Sequence, residues 1–153
     1  MAEAFEVQAV DKASVYEDVV PALSELKAMG IKLIIASSLS NAATTRFLEK
    51  FGLGDLFSAV WNRDSAEGIK GVPLTRAIDS ASLNPQQVMF LTDTAEGLKV
   101  ANSLGLNSIL MMNDPDEARR LSMHDPAGGI VSLHELPDFI RLVAAENARE
   151  TRR

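Results

Sequence analysis

Two apolar runs of the chain end in side chains that could bind a phosphate and a metal ion. Residues 34–36 lead into Ser37 and Ser38, and residues 90–92 lead into Asp93. Uninterrupted apolar runs of this length are typical of buried parallel strands, whose carboxyl ends meet at the ligand-binding edge of an open α/β sheet. Hydroxyl groups beside loop amides bind phosphate oxygens, and a strand-end carboxylate binds Mg²⁺. The pattern therefore predicts a phosphate and Mg²⁺ site at one sheet edge.

A lysine between the two runs, Lys70, would complete this chemistry. Lys70 stands in the segment Gly-Ile-Lys-Gly-Val-Pro, where its ammonium could neutralise a phosphate or position a nucleophilic carboxylate. Each residue also has an ordinary structural explanation. The serines could form a polar turn, Asp93 could cap the following helix, and Lys70 could be a solvated surface residue.

Composition excludes several classes of protein. The chain has 153 residues, 46% of them hydrophobic, a net charge of −6 and no cysteine. The absence of a basic block argues against nucleic acid or an anionic membrane as a partner, and no thiolate metal site or disulfide framework exists. No run reaches transmembrane length and the first residues carry no signal-peptide core, so we expect a cytoplasmic protein.

Apolar runs alternate with amphipathic segments along most of the chain. The predicted strands are 31–36, 58–61, 88–91, 108–112 and 130–131, and the predicted helices are 18–29, 41–51, 74–82, 95–104 and 133–145. The stretch 113–129 is predicted to be mainly loop. This alternation indicates an α/β fold with a mostly parallel sheet and helices on both faces. We expect one core domain over residues 1–145, followed by a charged, frayed tail over 146–153.

The order of these segments resembles the haloacid dehalogenase (HAD) superfamily, in particular the branch of β-phosphoglucomutase and phosphoglycolate-phosphatase-like enzymes. The resemblance covers about residues 15–143 and implies a three-layer α/β sandwich with a HAD-like, Rossmann-like sheet. It implies that Ser37 binds phosphate, that Lys70 organises nucleophile and phosphate, and that Asp93 binds Mg²⁺. Asn41 matches a position that can face the substrate.

Four positions depart from the family pattern. The lysine motif usually reads Lys-Pro-x-Pro, whereas Gly71 follows the lysine here. Thr92 and Thr94 flank the acid where glycine, glutamate or serine is usual, and Gly97 stands where many members have a second aspartate. Because some members of the branch also have glycine there, a metal site remains compatible with the sequence.

The largest departure is the first motif, Asp-x-Asp, whose first aspartate is the family's nucleophile. None precedes Val15, and no room exists for a cap domain. In one interpretation the chain is the back portion of a longer protein, so that its sheet lacks the central strand and the gap must be filled. In the other, residues 5–10 are that strand. Asp11 is then the nucleophile and a Mg²⁺ ligand, and Ala13 replaces the general acid/base.

The sequence thus favours a Mg²⁺-dependent phosphohydrolase that acts on a small phosphorylated metabolite through an aspartyl-phosphate. Without a general acid/base such an enzyme would be weak, since that group contributes about 10²–10⁴-fold. The alternative is a catalytically inactive HAD-like domain, either a pseudoenzyme, an interaction module or a fragment. A receiver-like signalling domain fits less well, because no acidic cluster ends the first strand. Homodimerisation that covers an exposed sheet edge is a further expectation.

Overall fold

A computed structural model describes residues 2–66 and 72–152. The helices are α1 (Ala2–Lys12), α2 (Val19–Ala28), α3 (Asn41–Phe51), α4 (Val72–Ala81), α5 (Ala95–Ser103), α6 (Pro115–Leu121) and α7 (Leu136–Thr151). The strands are β1 (Ile34–Ala36), β2 (Ala59–Trp61), β3 (Met89–Thr92), β4 (Asn107–Met111) and β5 (Gly128–Ile130). No helix in these two ranges is long and apolar enough to cross a membrane.

The strands form two separate parallel sheets. β1 pairs with β2, and β4 lies between β3 and β5 in the second sheet. Helices cover both faces of the second sheet: α2 and α7 pack on one face, and α4 and α5 on the other. The fold is therefore the three-layer α/β sandwich that the sequence predicts, but its sheet is divided between β1 and β3.

The best-packed part of the core lies at β4. Ile109 and Leu110 are 0% and 2% exposed, and Ile109 packs with Leu26 and Leu136 from the helices on its face. By contrast, every residue of β1 and of β3 is only partly buried, although both strands are apolar. A parallel strand flanked by other strands and covered by helices is normally buried on both faces, so β1 and β3 each lack a neighbour.

The prediction of a strand over residues 5–10 is wrong, because this segment lies within helix α1. The segment alternates apolar and polar residues, but alanine, glutamate and glutamine favour a helix. Tertiary contacts hold the end of this helix against α3. The Lys50 ammonium donates to the carbonyls of Val10, Asp11 and Ala13 at 3.0, 2.8 and 2.7 Å, which satisfies acceptors at the carboxyl end of α1.

Two further segments are more helical than the sequence indicates. The stretch 113–129, predicted as loop, contains α6, which begins after Asp114 because its carboxylate accepts from the amides of Asp116 and Glu117 at 2.8 and 3.4 Å. Helix α7 continues to Thr151, so most of the predicted frayed tail is helical and exposed.

Candidate functional site

An open cleft of about 520 Å³ separates β1 from β3, and we call it the β1–β3 cleft. Ser37 and Ser38 line it from the end of β1, and Thr92 and Thr94 line it from the end of β3. The carboxyl ends of both strands therefore face the same space, as the apolar runs in the sequence predict. Such a cleft between strand ends is where ligands of α/β folds bind.

The Ser37 hydroxyl has one described partner, the amide of Leu39, from which it accepts at 3.1 Å. The Ser37 amide donates to the Trp61 carbonyl at 2.9 Å, which continues the β1–β2 ladder by one residue. Because the hydroxyl acts as an acceptor in its described bond, its proton is available to a ligand oxygen. Ser38 is exposed beside it on the loop that enters α3. The two serines can therefore bind a phosphoryl group.

The next serine in this loop, Ser40, has a structural role. It is fully buried, and its hydroxyl accepts from the amide of Ala43 at 3.2 Å, so that it caps α3. This cap fixes the turn that places Ser37 and Ser38 at the cleft. Ser40, and not Asn41, is therefore the N-cap of α3.

Asp93 lies exposed at the end of β3 and accepts from the Asn113 side-chain amide at 3.2 Å. It does not cap α5, because that role belongs to Thr94, whose hydroxyl accepts from the amide of Gly97 at 3.0 Å. The structural explanation of Asp93 as a helix cap is therefore excluded. Its carboxylate remains accessible beside the cleft-lining threonines.

The carboxylate of Asp93 fits a hard cation such as Mg²⁺, which usually takes only one or two ligands from the protein and keeps several water ligands. No group of three or more acidic or histidine residues is gathered for a metal within residues 2–66 and 72–152. Mg²⁺ commonly uses one or two carboxylates and completes its octahedron with water and substrate phosphate. Asp93 can supply one such carboxylate, and a phosphate held at Ser37 can supply the substrate oxygen.

An ion pair that the sequence did not reveal lies at the mouth of the cleft. Glu6 of α1 receives two hydrogen bonds from the guanidinium of Arg63, at 2.8 and 3.2 Å, and one from the Ser40 amide at 3.0 Å. These bonds, chiefly those from Arg63, lower the pKa of Glu6 to about 2. Arg63 also donates to the Ser38 carbonyl at 3.2 Å. Since the partners are distant in sequence, no local pattern could have identified this pair.

Asp11 does not lie at a strand end. It belongs to α1, is about half exposed, and forms an ion pair with Arg46 of α3 at 2.8 Å. The prediction that Asp11 ends a central strand is wrong, and the assignment of Asp11 as nucleophile and metal ligand loses its basis.

The structure separates Asn41 from the cleft and does not describe Lys70. Asn41 lines a second pocket of about 490 Å³. There its amide donates to Asp64 at 2.7 Å, and its side-chain oxygen accepts from Asn62 at 3.1 Å. Its predicted contact with substrate stays a prediction. Lys70 lies outside the described residues, and its predicted role also stays a prediction.

Comparison with known proteins identifies the family. The profile of the haloacid dehalogenase-like hydrolase family matches residues 1–111, well over half of the chain.

Two curated relatives are phosphatases by name. A phosphoglycolate phosphatase of Cereibacter sphaeroides is 29% identical over 143 residues, which are 92% of this chain and 64% of the relative. An enolase-phosphatase E1 of Drosophila mojavensis is 30% identical over 131 residues, or 82% of this chain and 53% of the relative. The chain thus spans less than two thirds of the length of these relatives.

Solved structures share the fold. A HAD phosphatase from Thermococcus onnurineus superposes with a TM-score of 0.77 at 24% identity, over 92% of this chain and 64% of that one. The L-2-haloacid dehalogenase from Xanthobacter autotrophicus gives a TM-score of 0.74 at 20% identity, over 88% of this chain and 64% of that one.

Proposed function

Because the chain belongs to the haloacid dehalogenase-like hydrolase family, we propose that it supplies the phosphate- and Mg²⁺-binding part of a phosphohydrolase for a small phosphorylated substrate. The observation that carries this proposal is that Ser37 and Ser38, at the end of β1, line the same cleft as Thr92 and Thr94, which flank Asp93 at the end of β3. The phosphatase names of the curated relatives support the reaction class.

The roles of the chain's own residues follow from their positions. The Ser37 hydroxyl donates to a phosphoryl oxygen, and Ser38 contributes at the loop beside it. Lys70 would neutralise a further oxygen, as the family resemblance implies. The Asp93 carboxylate would hold Mg²⁺, which when bound withdraws negative charge from the phosphate. Such fixed donors and charges stabilise a transferring phosphoryl group.

The nucleophile is not provided at this site by the described residues. In the family an aspartate at the end of the first strand attacks phosphorus, and here no described strand lies between β1 and β3. Asp11 is held by Arg46 on the flank of α3. We therefore expect this chain alone to bind phosphate with Mg²⁺ but to hydrolyse an aryl phosphate only at the background rate.

The first test measures binding separately from turnover. Inorganic phosphate is titrated into the wild type with and without Mg²⁺, and amide chemical shifts are followed by NMR. We expect phosphate to shift the amide signals of Ser37 and Ser38, and we expect Mg²⁺ to increase the phosphate affinity. In Asp93→Asn this increase should be at least about tenfold smaller, because the variant loses a charged Mg²⁺ ligand. Asp79→Asn, an exposed carboxylate on α4, is the matched control.

The same samples are assayed with p-nitrophenyl phosphate. Background rates in all three proteins are the expected result. If the phosphate shifts avoid Ser37 and Ser38, or if Asp93→Asn retains the full Mg²⁺ effect, the proposed site is wrong. Turnover by the wild type well above background would show that the chain contains its own nucleophile and would contradict the expectation that this chain alone binds phosphate without hydrolysing the ester.

A second candidate is a catalytically inactive HAD-like domain that retains the scaffold. The observation in its favour is the ion pair between Glu6 and Arg63, since it neutralises a cation at the cleft mouth that could otherwise attract phosphate. This candidate predicts no phosphate-dependent shift in either the presence or the absence of Mg²⁺. The cytoplasmic location and the small phosphorylated partner remain proposals from the sequence.

A further inference from the structure

The backbone of β1 bonds to a neighbour on one side only. Near its two ends, the Leu33 carbonyl accepts at 2.8 Å and the Ser37 amide donates at 2.9 Å, and both bonds go to the β2 segment. Backbone groups of alternate residues in a strand point to opposite edges. The amides and carbonyls of Ile34 and Ala36 therefore point away from β2, towards the β1–β3 cleft, which Ala36 lines.

The same alternation applies to β3. The Val88 carbonyl accepts from the Asn107 amide at 3.1 Å, so the even-numbered residues of this segment bond towards β4. The amides and carbonyls of Met89 and Leu91 consequently face the opposite edge. Within the described residues, 2–66 and 72–152, no hydrogen-bond ladder joins this edge of β3 to β1. Two rows of backbone donors and acceptors thus face one cleft.

The carboxyl ends of both strands face the same space, and apolar side chains line part of it. Residues near the carboxyl ends of both strands line the one cleft, as they would if β1 and β3 were parallel neighbours at a distance. Leu74 and Val100 line the cleft from α4 and α5. Met89 and Leu91 pack into the core beneath α2 and α7 on the other face. An occupant would therefore have helices on both of its faces.

We propose that the β1–β3 cleft binds an extended apolar segment of another polypeptide, which runs parallel to β1 and β3 and joins the two sheets into one. β1 has three residues and β3 has four, so a segment of about four or five residues, at about 3.3 Å each, matches their length. Because helices cover both faces, consecutive side chains of the segment are apolar, as in a buried parallel strand.

A single inserted strand satisfies both edges at once, whereas a second copy of this chain does not. A dimer that pairs through β1 or through β3 covers one edge and leaves the other bare inside the cleft. An inserted strand instead supplies donors and acceptors to Ile34 and Ala36 on one side and to Met89 and Leu91 on the other. This docking rests on the two edges alone and does not depend on the proposed phosphatase activity.

The test uses the whole chain and a capped peptide, Lys-Lys-Val-Ile-Val-Val-Asp-Lys-Lys, whose β-branched core suits a buried strand. Binding is measured by calorimetry, and amide hydrogen exchange locates it. We expect exchange to slow by about tenfold or more at Ile34, Ala36, Met89 and Leu91, because these amides gain hydrogen-bond partners. A peptide with prolines at the second and fourth core positions lacks the two amide donors that face one of the edges and should not bind.

Two variants probe the walls of the cleft. Val100→Lys places a charge in the apolar part of the cleft and should weaken peptide binding at least tenfold. Leu142→Lys, at a position on α7 that is 65% exposed, is the matched control and should bind normally. Equal binding of the valine and proline peptides, or protection elsewhere in the chain, overturns the proposal. So does concentration-dependent protection of these amides without peptide, which would indicate a homodimer.

A second pair of peptides separates docking from catalysis. Replacing the peptide's aspartate by asparagine should leave its affinity and the amide protection unchanged, because docking depends on the backbone and the apolar core. If only the aspartate peptide supports turnover of p-nitrophenyl phosphate, the proposed function is supported as well. If both peptides dock and neither supports turnover, the docking proposal stands and the phosphohydrolase proposal fails.

Discussion

Glu6 and Arg63 determine the charge at the mouth of the cleft. Their hydrogen bonds lower the pKa of Glu6 from an ordinary 4.5 to about 2. A carboxyl whose pKa is lower in the folded state stabilises the fold fully above its unfolded pKa, and this contribution is lost as the pH falls towards the folded value. Helix α1 is thus held to the Ser38–Ser40 loop by an interaction that depends on pH.

We expect Glu6→Gln to lower the free energy of unfolding at pH 7 and to leave it nearly unchanged near pH 2. The difference between wild type and variant should be constant above about pH 4.5 and should shrink as the pH falls towards about 2. Urea titrations between pH 2 and 7 measure it. Glu3→Gln, an exposed acid in the first turn of the same helix, is the control. A difference that grows on acidification would contradict the assignment.

Gly97 is explained by packing at the end of β3. A methyl group added at this position would lie 2.9 Å from the Thr92 Cβ and closer still to its hydroxyl oxygen. The family's frequent second aspartate therefore has no room here without movement of Thr92. An added Cβ also favours helix by up to about 1 kcal/mol relative to glycine, which is less than the usual cost of overpacking.

Gly97→Ala should accordingly destabilise the protein by about 1–2 kcal/mol, the cost of overpacking less the gain in helix propensity. Gly54→Ala, where an added Cβ meets nothing within 4 Å, is the matched control and should be close to neutral. Thr92→Ala removes two of the three contacted atoms, so it should recover part of the loss in a double variant. Thermal unfolding of the wild type, Gly97→Ala, Gly54→Ala and the Gly97→Ala, Thr92→Ala double variant decides whether the contact with Thr92 sets the preference for glycine.

Among the elements, α1 shows how tertiary contacts override a local pattern. The alternation in residues 5–10 fits a strand, and the composition fits a helix, so the sequence alone leaves both open. Three carbonyls at the end of α1 find the Lys50 ammonium on α3. A cation at a helix carboxyl terminus is favourable with respect to the helix dipole, and the docked helix results.

Lys50→Met should therefore loosen α1 without unfolding the sheets. We expect faster amide exchange in the last turn of α1 and a loss of about 1 kcal/mol in the free energy of unfolding, as for an exposed charge-assisted interaction. Lys99→Met, at an exposed position on α5, serves as the control. Unchanged exchange in α1 would show that other contacts between α1 and α3, rather than those of Lys50, hold the helix.

At the scale of the whole molecule, packing is uneven between the two sheets. Ile109 of β4 is fully buried between helices, whereas Ile35 of β1 is only partly buried beside the cleft. Truncation of a buried isoleucine leaves a cavity and costs about 2–5 kcal/mol, whereas the cost falls where water already reaches the site.

Ile109→Ala should thus cost about 2–5 kcal/mol and Ile35→Ala about half as much, as measured by urea denaturation of both variants. The two substitutions delete the same atoms, so the difference reports the surroundings. Equal losses would indicate that β1 is as well packed as β4 and would speak against an open cleft at its edge.

Residue order alone predicted the fold class and most elements of this chain. Helices α2, α3 and α5 lie within a residue or two of their predicted bounds, because capping residues and glycine stops are local signals. The strand ends at Ser37 and Asp93 were likewise predictable from apolar runs that stop at polar residues. The family resemblance added the expected phosphate and metal roles, which those positions are compatible with.

Only the tertiary structure shows where helix α1 lies relative to the β1–β3 cleft. Helix α1 draws Asp11 to Arg46 and Glu6 to Arg63, and these partners lie far apart in sequence. The separation of β1 from β3 is also a tertiary fact, since the apolar pattern of one strand does not specify which other strand becomes its neighbour. Local propensity and capping residues determine where the helices and strands begin and end. Contacts between residues distant in sequence determine that the unpaired edges of β1 and β3 face one cleft.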